Sequence, residues 1–404
     1  MDALIINARI ITPYRILPPC WTLRVTDGKI SALTDLPMDP QDFAGQVIDA
    51  QGCYLAPGFI DMHTHGAGGH DFMDGSLDAV LAACRTHLHH GTTSIVPTTL
   101  SSTWDDLVSN LELIDQASSI HDHMPNILGT HLEGPYFAPE QNGAQDMRYL
   151  KPPAPEEYLT LLDRFPHILK WTVAPELDGA LEMGQILRER GIIASIGHSN
   201  ATEKEVEKAI HSGYTMVTHL YNGMSRLTRK NAVMHLGVAE SALIYDELTA
   251  EIIADGCHLP PSLLRLIYRC KGPQRICLVT DSMRAAGTEC TRSLLGGLKN
   301  GQEVEVADGV AYMPGRASFG GSIATADRLV RTMYRQAGVP LEHAVEMITR
   351  TPAQMLNILH RKGTIEVGKD ADLVLFDEDI RIMAVMVNGN LWEDHVKRCP
   401  PSRM

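Results

Sequence analysis

Between Gly58 and Asp281 the sequence alternates short apolar runs with helical stretches, and this alternation restricts the fold more than any other feature. Eight runs have the length and composition of strands: Gly58 to His63, Ser94 to Thr99, Asn126 to Glu133, Ile168 to Pro175, Ile192 to His198, Thr215 to Leu220, Glu251 to Asp255 and Ile276 to Asp281. Helical signals separate several of them. Leu77, Val80, Leu81, Cys84 and Leu88 recur at helical spacing before Gly91, and Thr202 with Glu205 makes a capping box for a helix running to Gly213. Strands that alternate with helices imply a parallel sheet joined by crossovers. Eight such strands in about 225 residues match the repeat of a (β/α)8 TIM barrel. An open doubly wound sheet is the alternative, but no Gly-x-Gly-x-x-Gly turn follows the first strand.

The two ends of the chain have a different texture. Ala3 to Thr12 is rich in isoleucine, and Leu23 to Leu33 alternates about Asp27-Gly28, a hairpin signal. Ala371 to Asp377 and Ile382 to Val387 also read as strands, the second ending in Asn388-Gly389. Neither end has enough apolar residues to fold alone. Residues 1–54 and 361–404 are therefore expected to combine into one small β-sandwich domain beside a barrel of residues 55–360. A formal charge of -14 argues against a nucleic-acid surface and against an anionic membrane, which leaves a small solute as the expected partner. The N-terminus lacks a basic n-region, Arg9 and Arg15 interrupt its apolar residues, and no uncharged run reaches membrane-spanning length, so a cytoplasmic location is expected. The eight cysteines (20, 53, 84, 257, 270, 277, 290 and 399) include no Cys-x-x-Cys pair, and most are read as buried thiols.

In a (β/α)8 barrel the chemistry gathers at the C-terminal ends of the strands. Here those ends are polar. Strand one leads into His63-Thr64-His65, whose alternate side chains share one side of the strand. Strand three ends in His131-Leu132-Glu133, strand five in Gly197-His198-Ser199-Asn200, and strand six in Thr218-His219-Leu220-Tyr221-Asn222. Strand seven ends in Asp255-Gly256-Cys257-His258 and strand eight in Thr280-Asp281-Ser282. Taken singly, a strand-end His or Asp more often hydrogen-bonds a loop backbone. Imidazoles and carboxylates from several strands, converging on one mouth, form instead the ligand set of zinc or a similar divalent ion.

The His-x-His strand, His198, His219 and Asp281 resemble the amidohydrolase superfamily, whose members hydrolyse amides and related bonds with the help of metal ions. Within it, His131-Leu132-Glu133-Gly134-Pro135-Tyr136, Gly197-His198-Ser199-Asn200-Ala201, Thr218-His219-Leu220-Tyr221-Asn222 and Asp255-Gly256-Cys257-His258 are similar to signatures of N-acetylglucosamine-6-phosphate deacetylases. The tail from Gly363 to Val374 looks like that superfamily's return to the small β domain. The resemblance implies one or two divalent ions, zinc foremost with Fe2+, Mn2+ or Co2+ as alternatives, held by His63, His65, Glu133, His198, His219 and Asp281. Glu133 would be the anionic ligand, since strand four ends in Ala174-Pro175-Glu176 and offers no lysine to be carbamylated. Asp281 would be the proton carrier, and His258 would bind the carbonyl oxygen or the oxyanion it becomes. Sugar contacts would come from Ala144, Gln145, Asn222, Gly223, Asp255, His258 and a Phe319-Gly320-Gly321-Ser322 turn, although the glycines could equally mark only a helix start. A homodimer is implied as well.

The chain departs from the family at the phosphate. Where the pattern after strand six has Arg-Glu-Pro-Gly, this sequence reads Arg226-Leu227-Thr228-Arg229-Lys230-Asn231-Ala232, and the usual histidine after strand three is replaced by Gln145. Arg229 is the expected anion contact, because a guanidinium can grip two oxygens at once. The competing readings are an unphosphorylated or different N-acetyl amino sugar such as the galactosamine series, a deaminase or cyclic amidase on the same barrel, and a barrel kept as a binding scaffold.

Overall fold

Each barrel strand is an apolar run with a helix or loop behind it, and the computed structural model, which describes residues 2–36, 40–316 and 318–394, closes eight of them about one axis. In order they are Phe59–Thr64, Thr92–Thr99, Thr130–Glu133, Ile168–Val173, Ile193–Ile196, Tyr214–Val217, Thr249–Ile252 and Ile276–Leu278, and neighbours along this order pair in parallel. The expected third strand is split: Asn126–Ile127 pairs separately with strand two, and Gly129 at φ 159 separates it from Thr130–Glu133. The helix expected before Gly91 spans Leu77–His89, and the Thr202–Glu205 capping box opens Glu203–His211. The fold is therefore the (β/α)8 barrel with an added small β domain.

Strands one and eight do not form a ladder. The seam is bridged by the Asp281 N–H to the His63 carbonyl at 2.9 Å, and by Ile60 and Leu278, which donate to the Ile348 and Met347 carbonyls at 2.8 and 2.9 Å. One consequence is local: the seam holds Asp281 against the first-strand histidines.

The termini build two sheets. One joins Lys29–Thr34, Thr22–Thr26, Ala3–Ile6 and Gln46–Asp49; the other joins Asn390–Asp394, Ile382–Val387, Leu373–Phe376, Tyr54–Pro57, Arg9–Ile11 and Ile16–Leu17. Ile5, Ile10, Leu23, Val25, Ile48, Leu55, Leu373 and Leu375 form their shared core. Tyr54–Pro57 thus belongs to the small sheet, and the chain enters the barrel only at Phe59. Both expected hairpins form, with Asp27 and Gly28 at φ 49 and 74 and Asn388 and Gly389 at φ 48 and 77, and the two turns lie against each other. A Cβ on Gly389 would sit 2.6 Å from the Gly28 Cα, so the contact requires glycine.

Two expectations need correction. The Phe319–Ser322 stretch is neither a turn nor a helix start but the edge strand of an antiparallel sheet inserted after barrel strand eight, with Arg292–Leu295, Gln302–Ala307 and Val310–Tyr312. The cysteines are less buried than expected: Cys53, Cys84 and Cys277 are buried, Cys257 and Cys290 partly so, and Cys20 and Cys270 are exposed, while Cys399 lies outside the described residues. Among the described residues no helix is long and apolar enough to cross a membrane.

Candidate active site

Six side chains meet at the C-terminal mouth of the barrel. His63 and His65, two residues apart on one strand, bring their Nε2 atoms to 3.3 Å, and Asp281 Oδ1 lies 3.3 and 3.2 Å from them. Glu133 sits between this pair and the histidines of strands five and six. Its Oε2 is 3.2 Å from His65 Nε2, and its Oε1 is 3.4 Å from His198 Nε2 and 3.0 Å from His219 Nε2. Two triads therefore share one carboxylate, His63-His65-Glu133 and Glu133-His198-His219, and every member is buried.

The remaining hydrogen bonds fix which ring nitrogen faces inward. His63 Nδ1 is 3.1 Å from a Glu251 carboxylate oxygen, His198 Nδ1 is 2.7 Å from the Gln141 carbonyl and His219 Nδ1 is 3.1 Å from the Asn222 carbonyl. An acceptor at Nδ1 keeps the proton there and leaves the Nε2 lone pair for a metal. Electrostatics agree. Burial alone would keep His63 and His65 neutral, but the Asp281 and Glu133 carboxylates raise them to about 9 and about 10. Against the opposing effect of burial, the same histidines pull Asp281 down to about 2 and Glu133 well below the usual carboxylate range. Two carboxylates buried together demand positive charge, and a divalent cation meets that demand with the donor atoms already turned towards it. The residues fit a divalent metal.

Local backbone geometry has been spent on this arrangement. His198, His219 and Asp281 have φ of 48, 31 and 43, the left-handed region that side-chain-bearing residues rarely occupy. The turn carrying His198 is braced by Glu176, which accepts from the Ser199 hydroxyl at 2.7 Å and the Asn200 N–H at 2.5 Å. Gly223 lets the strand-six loop approach, since a Cβ there would meet His198 Nδ1 at 3.0 Å. His131, by contrast, points into the barrel, between Thr98 Oγ1 at 3.2 Å and Thr172 Oγ1 at 2.7 Å. Burial, reinforced by Lys170, holds it well below the usual imidazole range and therefore neutral.

Above the cluster lies a cavity of about 470 Å³, in the range of small-molecule sites. Its walls include Ala144, Gln145, Asn222, Gly223, His258, Phe319, Gly320 and Gly321 from the expected sugar contacts. Asp255 stands behind the wall, where its Oδ2 is 2.7 Å from His258 Nδ1, and the Phe319 ring flanks His258 at 4.5 Å. Gln145 does more than line the cavity: its amide donates to Glu133 Oε2 at 2.8 Å. Arg229 is on an exposed hairpin, Thr228–Lys230 with Val233–His235, and does not line the cavity; Arg226 does. Sequence reasoning passed over Arg226, Lys170 and Glu251. Strand four does carry a lysine, Lys170, but it lies inside the barrel paired with Glu251 instead of at the strand's end.

A barrel of this architecture with a His/Glu/Asp cluster at its mouth defines a metal-dependent hydrolase of the amidohydrolase type, and residues 54–392 match the Amidohydrolase family. Curated relatives named N-acetylglucosamine-6-phosphate deacetylase include one from Danio rerio, 33% identical over 400 residues (96% of each chain), and one from Mus musculus, 35% identical over 379 residues (92% of this chain and 91% of that one). The crystal structure of the Pasteurella multocida N-acetylglucosamine-6-phosphate deacetylase superposes with a TM-score of 0.90 at 32% identity, covering 98% of this chain and all of that one. A mutant of the Mycobacterium smegmatis enzyme in complex with N-acetyl-D-glucosamine-6-phosphate superposes at 0.86 and 30% identity, covering 97% of this chain and 98% of that one. The chain belongs to the amidohydrolase family and, within it, to the N-acetylglucosamine-6-phosphate deacetylases.

Proposed function

We propose that this chain hydrolyses the acetamide of N-acetylglucosamine-6-phosphate to glucosamine-6-phosphate and acetate, using divalent ions held by His63, His65, Glu133, His198, His219 and Asp281. The observation that carries the reading is Glu133 placed between two buried histidine pairs at the floor of one cavity. The same placement supports two ions, zinc being the best match to imidazole and carboxylate donors. Such an ion supplies Lewis-acid polarisation and makes water a nucleophile near neutral pH.

The chain's own residues do the rest. Asp281 accepts the proton of the attacking water as the new C–O bond forms at the acetyl carbon, and returns it to nitrogen as the C–N bond breaks. Its place at the barrel seam, beside both first-strand histidines, suits this shuttle. Asp255 accepts the Nδ1 proton of His258, and in the doubly protonated ring, where both nitrogens are donors, His258 gives its Nε2–H to the oxygen on which negative charge develops. Asn222, Gly223, Ala144 and Gln145 hold the sugar, and Phe319 to Gly321 cover it from the inserted sheet.

The phosphate contact on this chain is Arg226, the one lysine or arginine among the described residues that lines the cavity, while Arg229 is on the exposed hairpin. That hairpin also exposes Val233 and Met234, which supports a homodimer. A cytoplasmic location accords with a phosphorylated sugar substrate. Acetate release from N-acetylglucosamine, its 6-phosphate and N-acetylgalactosamine tests the reading: kcat/KM should be highest for the 6-phosphate. Faster hydrolysis of an unphosphorylated sugar, or of a cyclic amide, would overturn it.

A further inference from the structure

Behind His63 lies a buried ion pair that the deacetylase chemistry does not use. His63 Nδ1 is 3.1 Å from Glu251 Oε2, the other oxygen of Glu251 is paired with Lys170 Nζ, and all three side chains are fully buried. They belong to strands one, seven and four, so the contact crosses the barrel interior instead of running between neighbouring strands. Lys170 lies two residues before Thr172, whose hydroxyl meets His131 and Thr218 in the interior, and alternation places the lysine in the next polar layer down.

An ion pair this deep is costly to desolvate, and a pair of apolar side chains would stabilise the barrel as well or better. Its local effect is directional. Glu251 accepts the Nδ1 proton of His63 and so points the Nε2 lone pair at the space shared with Glu133 and Asp281. Lys170 balances the charge, so this strong acceptor adds no net negative charge beside two carboxylates already present. The two halves of the cluster differ here. His198 and His219 are oriented by backbone carbonyls, which every residue type supplies, whereas His63 depends on two side chains, and His65 Nδ1 has no partner among the described residues.

We infer that Lys170 and Glu251 are positioning residues for the His63 half of the centre and decide whether the protein holds a second divalent ion. The inference rests on the metal reading of His63, His65 and Glu133 given above. Metal-stripped wild type, Glu251→Gln and the neutral pair Lys170→Met with Glu251→Gln are titrated with Zn2+ against a chromophoric chelator, and dialysed samples are analysed for zinc. Wild type should take two ions. Both variants should keep the tighter ion unchanged and bind the second about 10- to 100-fold more weakly. The neutral pair leaves no unpaired buried charge, so it should regain the wild-type unfolding temperature without regaining the second ion, a separation that a purely structural role would not produce. Two tight ions in the folded neutral pair would overturn the inference and leave the metal site standing. Fewer than two ions in wild type would overturn the inference together with the two-ion reading.

Discussion

Gln145 donates its side-chain N–H to Glu133 Oε2 at 2.8 Å, while its own oxygen accepts the Ser101 N–H at 2.9 Å. The amide is fixed end for end, and it steadies the carboxylate shared by the two histidine pairs. Gln145→Leu keeps the bulk and removes the donor. A roughly 10-fold loss of kcat and a similar loss of metal affinity are expected, with KM changing less. Steady-state kinetics and a metal titration measure both, and an unchanged kcat would reduce Gln145 to a wall of the cavity.

Asp281→Asn keeps the shape of the side chain but cannot carry the proton. Turnover should fall by about 10²- to 10⁴-fold while most of the metal is retained. His258→Asn should cost about 10²-fold in kcat, more than it raises KM, because its hydrogen bond strengthens as charge develops. Kinetics paired with metal analysis separate these outcomes. A fully active Asp281→Asn would remove Asp281 as the proton carrier, and a pure KM effect would make His258 a binding residue only.

Arg226 lines the cavity and donates to the Tyr221 carbonyl at 2.5 Å, whereas Arg229 is on the exposed hairpin. Arg226→Ala should raise KM for N-acetylglucosamine-6-phosphate by about 10- to 100-fold, the worth of a charge-assisted contact, and leave N-acetylglucosamine almost unaffected. Arg229→Ala is the comparison. If that variant loses the phosphate preference and Arg226→Ala keeps it, the assignment is reversed.

Away from the site, Asp327 pairs with Arg331, which donates in turn to the Asp379 and Ile380 carbonyls just ahead of the Ile382–Val387 strand. Burial would raise its pKa, but hydrogen bonds from His90, Thr325 and Arg331 hold it at about 2. A carboxylate whose folded value lies below its unfolded value stabilises fully above the unfolded value, near 3.9, and that contribution disappears as the pH falls through about 2. It is worth about 2 kcal/mol. The gap in unfolding temperature between wild type and Asp327→Asn should therefore narrow as the pH is lowered from 5 to 2. A gap that stays constant over this interval contradicts the assignment.

The ligand set was legible because its chemistry allows few residue types and the barrel allows few places for them. His63, His65, Glu133, His198, His219 and Asp281 all follow apolar strands, so topology brings them together. What lay below the strand ends was not legible. Lys170 lies inside the expected fourth strand and Glu251 at the start of the expected seventh, and only the closed barrel turns them towards each other and His63. The inserted sheet was missed because its strands are half exposed: Gln302–Ala307 buries little beyond Val304 and has no continuous apolar run. Arg229 was chosen for the two-oxygen grip of its guanidinium, but Asn231 and Ala232, at φ 49 and 67, turn its strand into an exposed hairpin, and it is Arg226 that lines the cavity.

Two buried triads sharing Glu133 carry the proposed metal-dependent deacetylation of a phosphorylated amino sugar. Acetate release from N-acetylglucosamine-6-phosphate, followed while chelator-stripped protein is titrated with Zn2+, tests it most directly. Activity should be absent without metal and should rise with added ion to a plateau by two equivalents. Acetate release that persists in protein shown to be metal-free, or none at any metal loading, would contradict the account.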